Sequence, residues 1–127
     1  LDNFKLVNDR FGHPEGDKVL RDVAQIIRSV FRDNDIMARL GGDEFCIYAP
    51  GMMSVETVNR CVSALLSRCC FEYNYKESRF AVTASIGVVF ASQANYEYTT
   101  LYEYADQALY SAKTKGKNTW SFYKATD

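Results

Sequence analysis

Two adjacent carboxylates stand beside a pair of glycines in the run Gly41-Gly42-Asp43-Glu44. Glycine lets a backbone approach a bulky charged ligand closely, and carboxylates together with substrate phosphates are ligands that Mg²⁺ accepts. Asp43 and Glu44 could therefore hold Mg²⁺ (or Mn²⁺) for phosphoryl chemistry. The same four residues could equally form a solvated acidic turn, so this run leaves both interpretations open.

Other residues with reactive side chains give weaker signals. His13 is the only histidine and lies between Gly12 and Pro14, which indicates a turn residue rather than a zinc ligand or a member of a catalytic triad. The cysteines show no metal-ligand spacing and are expected to be reduced thiols of a cytosolic protein: Cys46, Cys61, Cys69 and Cys70.

Length and composition restrict the class of protein. A chain of 127 residues fits one domain, and 47% hydrophobic with 24% charged residues is typical of soluble globular proteins. The net charge of −1 provides no global positive field, so no nucleic acid is expected as a partner and any phosphate site must be local. Neither a membrane span nor a signal peptide is recognisable, so the domain itself is not expected to contact a membrane.

Three helices are predicted from apolar residues at helical spacing. They cover about residues 16–32, about 54–70 and about 100–114. Ser54 can cap the second helix, and Gly116 can stop the third. Residues 9–13 are expected to form a turn ahead of the first helix.

Strands are predicted from short apolar and alternating runs. Residues 36–40 and 45–49 flank the glycine pair and predict a β-hairpin with the two carboxylates at its tip. The β-branched run 80–90 predicts a central strand, and a last strand is expected at 120–123. The elements together predict an α+β, ferredoxin-like fold with a mixed, mainly antiparallel sheet and flanking helices.

Six segments, taken in order, closely resemble the GGDEF family of diguanylate cyclases. They cover the whole chain at near-typical spacing: Asn3–Asp9, Gly12–Asp17, Arg39–Phe45, Ser85–Gly87, Ala105–Tyr110 and Ala112–Asn118. The resemblance implies a nucleotidyl-cyclase-like fold and an enzyme of bacterial signalling that condenses two GTP into cyclic di-GMP, releasing two pyrophosphates. It also implies a homodimer, in which each 3′-hydroxyl attacks the α-phosphate of the GTP on the other domain.

The resemblance also implies a role for individual residues. Asp43 and Glu44 match the catalytic and metal-binding carboxylates, and the backbone carbonyl of Leu1 matches a further metal ligand. Asn8 and Asp17 match the pair that reads guanine; a turn residue and a helix N-cap are the alternatives. Further substrate contacts are implied at Asn3, Phe4, Lys5, Gly41, Gly42, Lys113 and Lys117.

Two lysines follow one another closely near the end of the third predicted helix. Lys113 and Lys117 match residues that hold the terminal phosphates, but the family usually has arginine at the second, whose flat bidentate contact lysine cannot make. Complementing a helix C-terminal dipole is the alternative for both lysines.

Arg32 and Asp35 match the Arg-x-x-Asp allosteric inhibitory site for cyclic di-GMP, with a weak helix-end ion pair as the alternative.

The family's first metal-binding aspartate would stand immediately before Leu1, and a helix and a strand would precede it. We therefore expect residues 1–127 to be an N-terminally truncated GGDEF domain with an upstream sensory or receiver domain, located in the cytoplasm even if the whole protein is membrane-anchored. The alternative function is a non-catalytic module that binds GTP or cyclic di-GMP and signals to a fused domain. A cyclase that uses another purine is a weaker third possibility.

Overall fold

The computed structural model describes residues 1–51 and 54–124. The chain divides into two compact units, a first unit Leu1–Thr83 and a second unit that begins at Ala84. Helices and strands are mixed in both units, which confirms the predicted α+β class.

The first unit begins with two helices, α1 (Phe4–Phe11) and α2 (His13–Val30). They meet at Gly12, whose φ of 92° suits glycine because a Cβ is disfavoured there. The predicted turn at 9–13 and the helix start near residue 16 are therefore wrong. His13 is the first residue of α2, and the following Pro14 is tolerated in this first turn, where its missing N–H costs no helical bond.

Helix α3 (Val55–Arg68) begins close to the predicted position, and the Ser54 Oγ accepts the Thr57 N–H at 3.5 Å as an N-cap. α3 packs against α2, and each helix buries one apolar stripe of the kind that drives such packing. The buried residues of the two stripes are Val19, Leu20, Val23, Ile27, Val58, Val62 and Leu65.

Two antiparallel hairpins complete the first unit. β1 (Ile36–Gly41) pairs with β2 (Glu44–Tyr48), which confirms the predicted hairpin. β3 (Phe71–Tyr75) pairs with β4 (Ser78–Val82), and β3 was missed although its residues alternate between partly buried and exposed.

The strand predicted over 80–90 is interrupted between Val82 and Ile86. Thr83 instead forms an isolated antiparallel bridge with Asp2, in which each residue donates its N–H to the other's carbonyl. A single long strand is wrong because the partner of Thr83 comes from the start of the chain, which local alternation does not reveal.

The second unit contains β5 (Ile86–Val88), a 3₁₀ turn at Ala91–Ala94, helix α4 (Tyr98–Thr114) and β6 (Trp120–Phe122). β5 and β6 are parallel, and α4 packs on both strands. The described residues therefore form three two-stranded sheets, two of them antiparallel. Among the same residues, no helix is long and apolar enough to cross a membrane.

Candidate functional site

The tip of the β1–β2 hairpin presents the two carboxylates. Gly41 and Gly42 have φ values of 136° and 50°, and the strand register shifts between Arg39 and Gly41, so the turn depends on glycine. The Asp43 side chain is 37% exposed, and Glu44 is exposed. Both carboxylates are therefore accessible to a cation or a triphosphate.

Leu1 lies beside this tip. Its nitrogen is 3.1 Å from the Asp43 carbonyl oxygen and 3.4 Å from the Asp43 Oδ2. The structure thus brings together Leu1 and Asp43, which the resemblance assigns to one metal site although the two positions are 42 apart in the sequence.

Side chains that follow Leu1 hold this loop against the end of β4. Asp2 is only 4% exposed, and its Oδ2 accepts a hydrogen bond from the Thr83 hydroxyl at 2.7 Å. Asn3 has a left-handed φ of 63°, and its Nδ2 donates to the Ala81 carbonyl at 3.0 Å. Sequence reasoning missed Thr83, since the position lies inside an apparent strand.

The predicted guanine-reading residues flank the corner between α1 and α2. Asn8 lies within α1, and Asp17 is the fifth residue of α2 and exposed, so the turn and N-cap alternatives are both wrong. Asn8 packs on the buried Gly16, which precedes Asp17 directly. Of the neighbouring substrate positions, Phe4 is buried in the core and Lys5 is exposed.

Arg32 and Asp35 lie in the loop after α2. The Asp35 carboxylate accepts the Arg32 backbone N–H at 2.9 Å, and the Asp35 N–H donates to the Arg32 carbonyl at 3.0 Å. Asp35 therefore shapes the turn that carries Arg32, a role that the ion-pair alternative did not include.

This loop borders a surface cavity of about 350 Å³ between α2 and α3. Arg60 and Arg68 also line it, and the Arg68 Nη1 donates to the Ser29 Oγ at 2.9 Å. Sequence reasoning missed both arginines. Their eight-residue spacing on α3 places them on one helix face, but only the packing of α3 on α2 brings that face to Arg32.

In the second unit, Lys113 is in the last turn of α4 and exposed. Lys117 is also exposed and has a left-handed φ of 65°, with its N–H donating to the Ala112 carbonyl at 3.2 Å. Lys115, between them, donates from its Nζ to the Ser121 Oγ at 3.0 Å. Lys115 is therefore hydrogen-bonded inside the second unit, although it lies between the two predicted phosphate ligands.

The residues at the hairpin tip suit Mg²⁺. This ion is commonly held by one or two carboxylates, with water and substrate phosphates completing its octahedron, and Asp43 and Glu44 supply that number. Within residues 1–51 and 54–124, no group of three or more His, Cys, Asp or Glu side chains could hold a metal by itself. Asp43 and Glu44 alone would leave most of an octahedral coordination sphere to other ligands.

The structure has free thiols at all four cysteines. Cys69 is buried, and burial raises the pKa of its thiol to about 11, whereas Cys70 is exposed. Desolvation disfavours the thiolate of Cys69, so it behaves as a core residue rather than a nucleophile.

Known proteins resemble this chain over nearly its whole length. Residues 1–119 match the family described as diguanylate cyclase, GGDEF domain. The chain is 40% identical over 120 residues to diguanylate cyclase DgcS of Shewanella oneidensis, covering 93% of this chain and 38% of that protein. It is 34% identical over 117 residues to cyclic di-GMP phosphodiesterase PdeR of Escherichia coli, covering 92% of this chain and 18% of that protein.

Among solved structures, an EAL/GGDEF domain protein from M. capsulatus superimposes with a TM-score of 0.81 at 33% identity, covering 98% of this chain and 81% of that chain. The family match, together with this fold, defines the class: the chain belongs to the GGDEF family of diguanylate cyclase domains. It spans about two fifths of the length of the curated diguanylate cyclase DgcS.

Proposed function

We propose that the chain is the catalytic domain of a diguanylate cyclase that condenses two GTP into cyclic di-GMP. The observation that carries this proposal is the accessible Asp43-Glu44 pair at the glycine turn, beside the loop that begins at Leu1. In a homodimer, each 3′-hydroxyl oxygen would bond to the α-phosphorus of the partner's GTP as the bond to pyrophosphate breaks.

Asp43, Glu44 and the backbone of Leu1 would hold Mg²⁺ (or Mn²⁺) together with the triphosphate. The ion, when bound, supplies Lewis acidity and neutralises charge on the phosphates. Glu44, which is exposed and follows Asp43 directly, would either assist in binding the metal or accept the proton of the attacking hydroxyl. Backbone N–H groups at Asn3 and Phe4 would cradle phosphates without any side-chain charge.

Guanine would be read at the corner between α1 and α2. The Asp17 carboxylate can accept both donors on guanine's Watson–Crick edge, and the Asn8 carboxamide can serve another polar atom. Adenine would leave the carboxylate poorly paired, which disfavours ATP. Lys113 and Lys117 are proposed as ligands of the terminal phosphates.

Detection of the product by liquid chromatography tests the proposal. The full natural protein incubated with GTP and Mg²⁺ should form cyclic di-GMP, and Asp43→Asn or Glu44→Gln should lower the rate about 100-fold or more, because each removes a charge needed at the reacting phosphates. Glu56→Gln is the control, since Glu56 is an exposed carboxylate in the first turn of α3. Equal loss in all three variants, or product formation that survives both tip substitutions, would contradict the proposal.

Product feedback is proposed at the cavity beside Arg32. Its three arginines and Asp35 suit an anionic dinucleotide, because guanidinium groups bind phosphates and guanine edges. Arg32→Ala should raise the cyclic di-GMP concentration for half-inhibition about tenfold, the loss expected for one charge-assisted hydrogen bond. Arg21→Ala, an exposed arginine on α2 outside the cavity, should leave inhibition unchanged. Unchanged inhibition in the Arg32 variant would exclude this site.

A non-catalytic module is the second candidate, and one finding favours it: the relative PdeR is described as a phosphodiesterase, although it matches 92% of this chain. In that case the domain would bind GTP or cyclic di-GMP and act on a fused sensory or catalytic domain. Binding of GTP without product, in chains shown to dimerise, would favour this candidate over the cyclase.

A further inference from the structure

Helices α1 and α2 approach each other closely at Gly16. The corner at Gly12 is fixed by backbone bonds on both sides, from the Gly12 N–H to the Asn8 carbonyl at 3.0 Å and from the Gly16 N–H to the Gly12 carbonyl at 3.3 Å. Gly16 is buried, and the Asn8 side chain lies directly over it. One residue further along α2 is Asp17, the other predicted guanine contact.

The backbone at residue 16 does not itself require glycine. Gly16 lies inside a regular helix and, unlike Gly12, does not have a left-handed φ. Glycine is among the poorest helix formers, so its presence here lowers the intrinsic stability of α2. A spatial requirement accounts for it better than a conformational one.

The atoms around Gly16 show why no side chain fits at this position. A Cβ added to Gly16 would overlap the Asn8 Oδ1, and it would lie 2.9 Å from the Asn8 Cγ and 3.3 Å from the Phe4 Cζ. Phe4 is 8% exposed and cannot retreat easily from the core. Even alanine would therefore force the Asn8 carboxamide out of its observed position.

We propose that Gly16 is a positioning residue for nucleotide specificity: its bare Cα makes the space that holds the Asn8 carboxamide next to Asp17. This inference rests on the proposed role of Asn8 and Asp17 in guanine recognition. Gly16 touches no substrate atom in this account and acts through Asn8.

A double-substitution cycle tests it. GTP and ATP affinities, measured by calorimetry with Mg²⁺, and thermal unfolding are compared for the unsubstituted chain, Gly16→Ala, Asn8→Ala and the double variant. Gly16→Ala should weaken GTP binding about tenfold, the loss expected for one hydrogen bond from the Asn8 carboxamide, and reduce the preference for GTP over ATP, while ATP binding changes little. The double variant should bind GTP as Asn8→Ala does, because residues in contact are not additive. Gln25→Ala, an exposed position on the same helix, is the control.

Each outcome has a distinct meaning. Unchanged GTP affinity in Gly16→Ala, or losses from the two substitutions that simply multiply, would overturn the positioning role. Equal weakening of GTP and ATP would also overturn it, since it would indicate a structural effect alone. If the unsubstituted chain bound neither nucleotide, the proposed function would fail and the specificity role with it. The steric contact itself would still be judged by whether Asn8→Ala restores the melting temperature lost in Gly16→Ala.

Discussion

Asp2 lies beside the residues that match the metal site, yet its carboxylate is turned into the protein. It accepts the Thr83 hydroxyl at 2.7 Å, and the residue is 4% exposed. A carboxylate held in this way is suited to fixing the Leu1 loop rather than to binding an exposed ion. Its residue type and position in the sequence would have allowed either role, and only the contact with Thr83 separates them.

Tyr73 shows how a single phenol links the second hairpin to the corner between α1 and α2. Its hydroxyl donates to the Glu15 Oε1 at 2.9 Å, and its ring stacks on Phe80 at a centroid separation of 5.5 Å. Burial and then this hydrogen bond raise the pKa of Tyr73 from 10.0 to about 12. The protonated phenol is therefore favoured in the folded state.

A pH dependence follows from that shift. Because the folded pKa exceeds the unfolded one, the contribution of Tyr73 to stability is complete below pH 10 and is lost as pH rises towards 12. In urea unfolding, the stability difference between the unsubstituted chain and Tyr73→Phe should shrink between about pH 9 and about pH 11.5. The first value lies below the ordinary tyrosine pKa of about 10 and the second lies above it. Tyr98→Phe, at a residue 68% exposed, is the matched control. A difference that stays constant over this range would contradict the assignment.

Among the elements, the β1–β2 hairpin and helices α3 and α4 could be predicted because each has a local signal. Glycine pairs favour a hairpin, Ser54 caps α3, and apolar spacing marks both helices. Helix α1 could not be predicted in the same way. It has eight residues and buries only Phe4 and Val7, so its apolar periodicity is too short to distinguish it from a turn.

The residues of the candidate site also differ in whether a local sequence signal predicts them. The glycine pair predicted a hairpin with Asp43 and Glu44 at its tip, and the structure places both residues at that tip and accessible. Thr83, Arg60 and Arg68 were missed because their importance arises from contacts between elements distant in the chain. Local patterns predict a residue's role when its contacts lie close to it in the sequence. They fail when those contacts come from an element distant in the chain.

Packing in the second unit explains the glycine of the Ser85-Ile86-Gly87 segment. A Cβ added to Gly87 would overlap the Ala105 carbonyl oxygen and the Leu109 nitrogen of α4, which are backbone atoms and cannot rotate away. Gly87→Ala should therefore destabilise the chain by about 1–3 kcal/mol, the usual cost of overpacking. Gln107→Ala, exposed on α4, should change stability by less than about 0.5 kcal/mol. Urea unfolding measures both, and equal stability of the two variants would refute the close approach of α4 to β5.

For the whole molecule, charge is distributed in a way that favours local anion sites. The net charge is −1, yet Arg32, Arg60 and Arg68 converge on one cavity in the first unit. An anionic dinucleotide would therefore be attracted by a cluster and not by a general field. The relatives DgcS and PdeR extend well beyond the matched region, which is 38% of the first and 18% of the second.

The mass of the cyclic product formed from mixed nucleotides gives the sharpest test of whether this domain joins GTP to GTP. The full natural protein is incubated with equimolar GTP and ATP and Mg²⁺, and the cyclic dinucleotides are identified by mass spectrometry. We expect cyclic di-GMP alone, because Asp17 and Asn8 are proposed to read guanine in both halves of the proposed dimer. A mixed or adenine-only cyclic dinucleotide, or no cyclic product from a chain that binds GTP and dimerises, would contradict it.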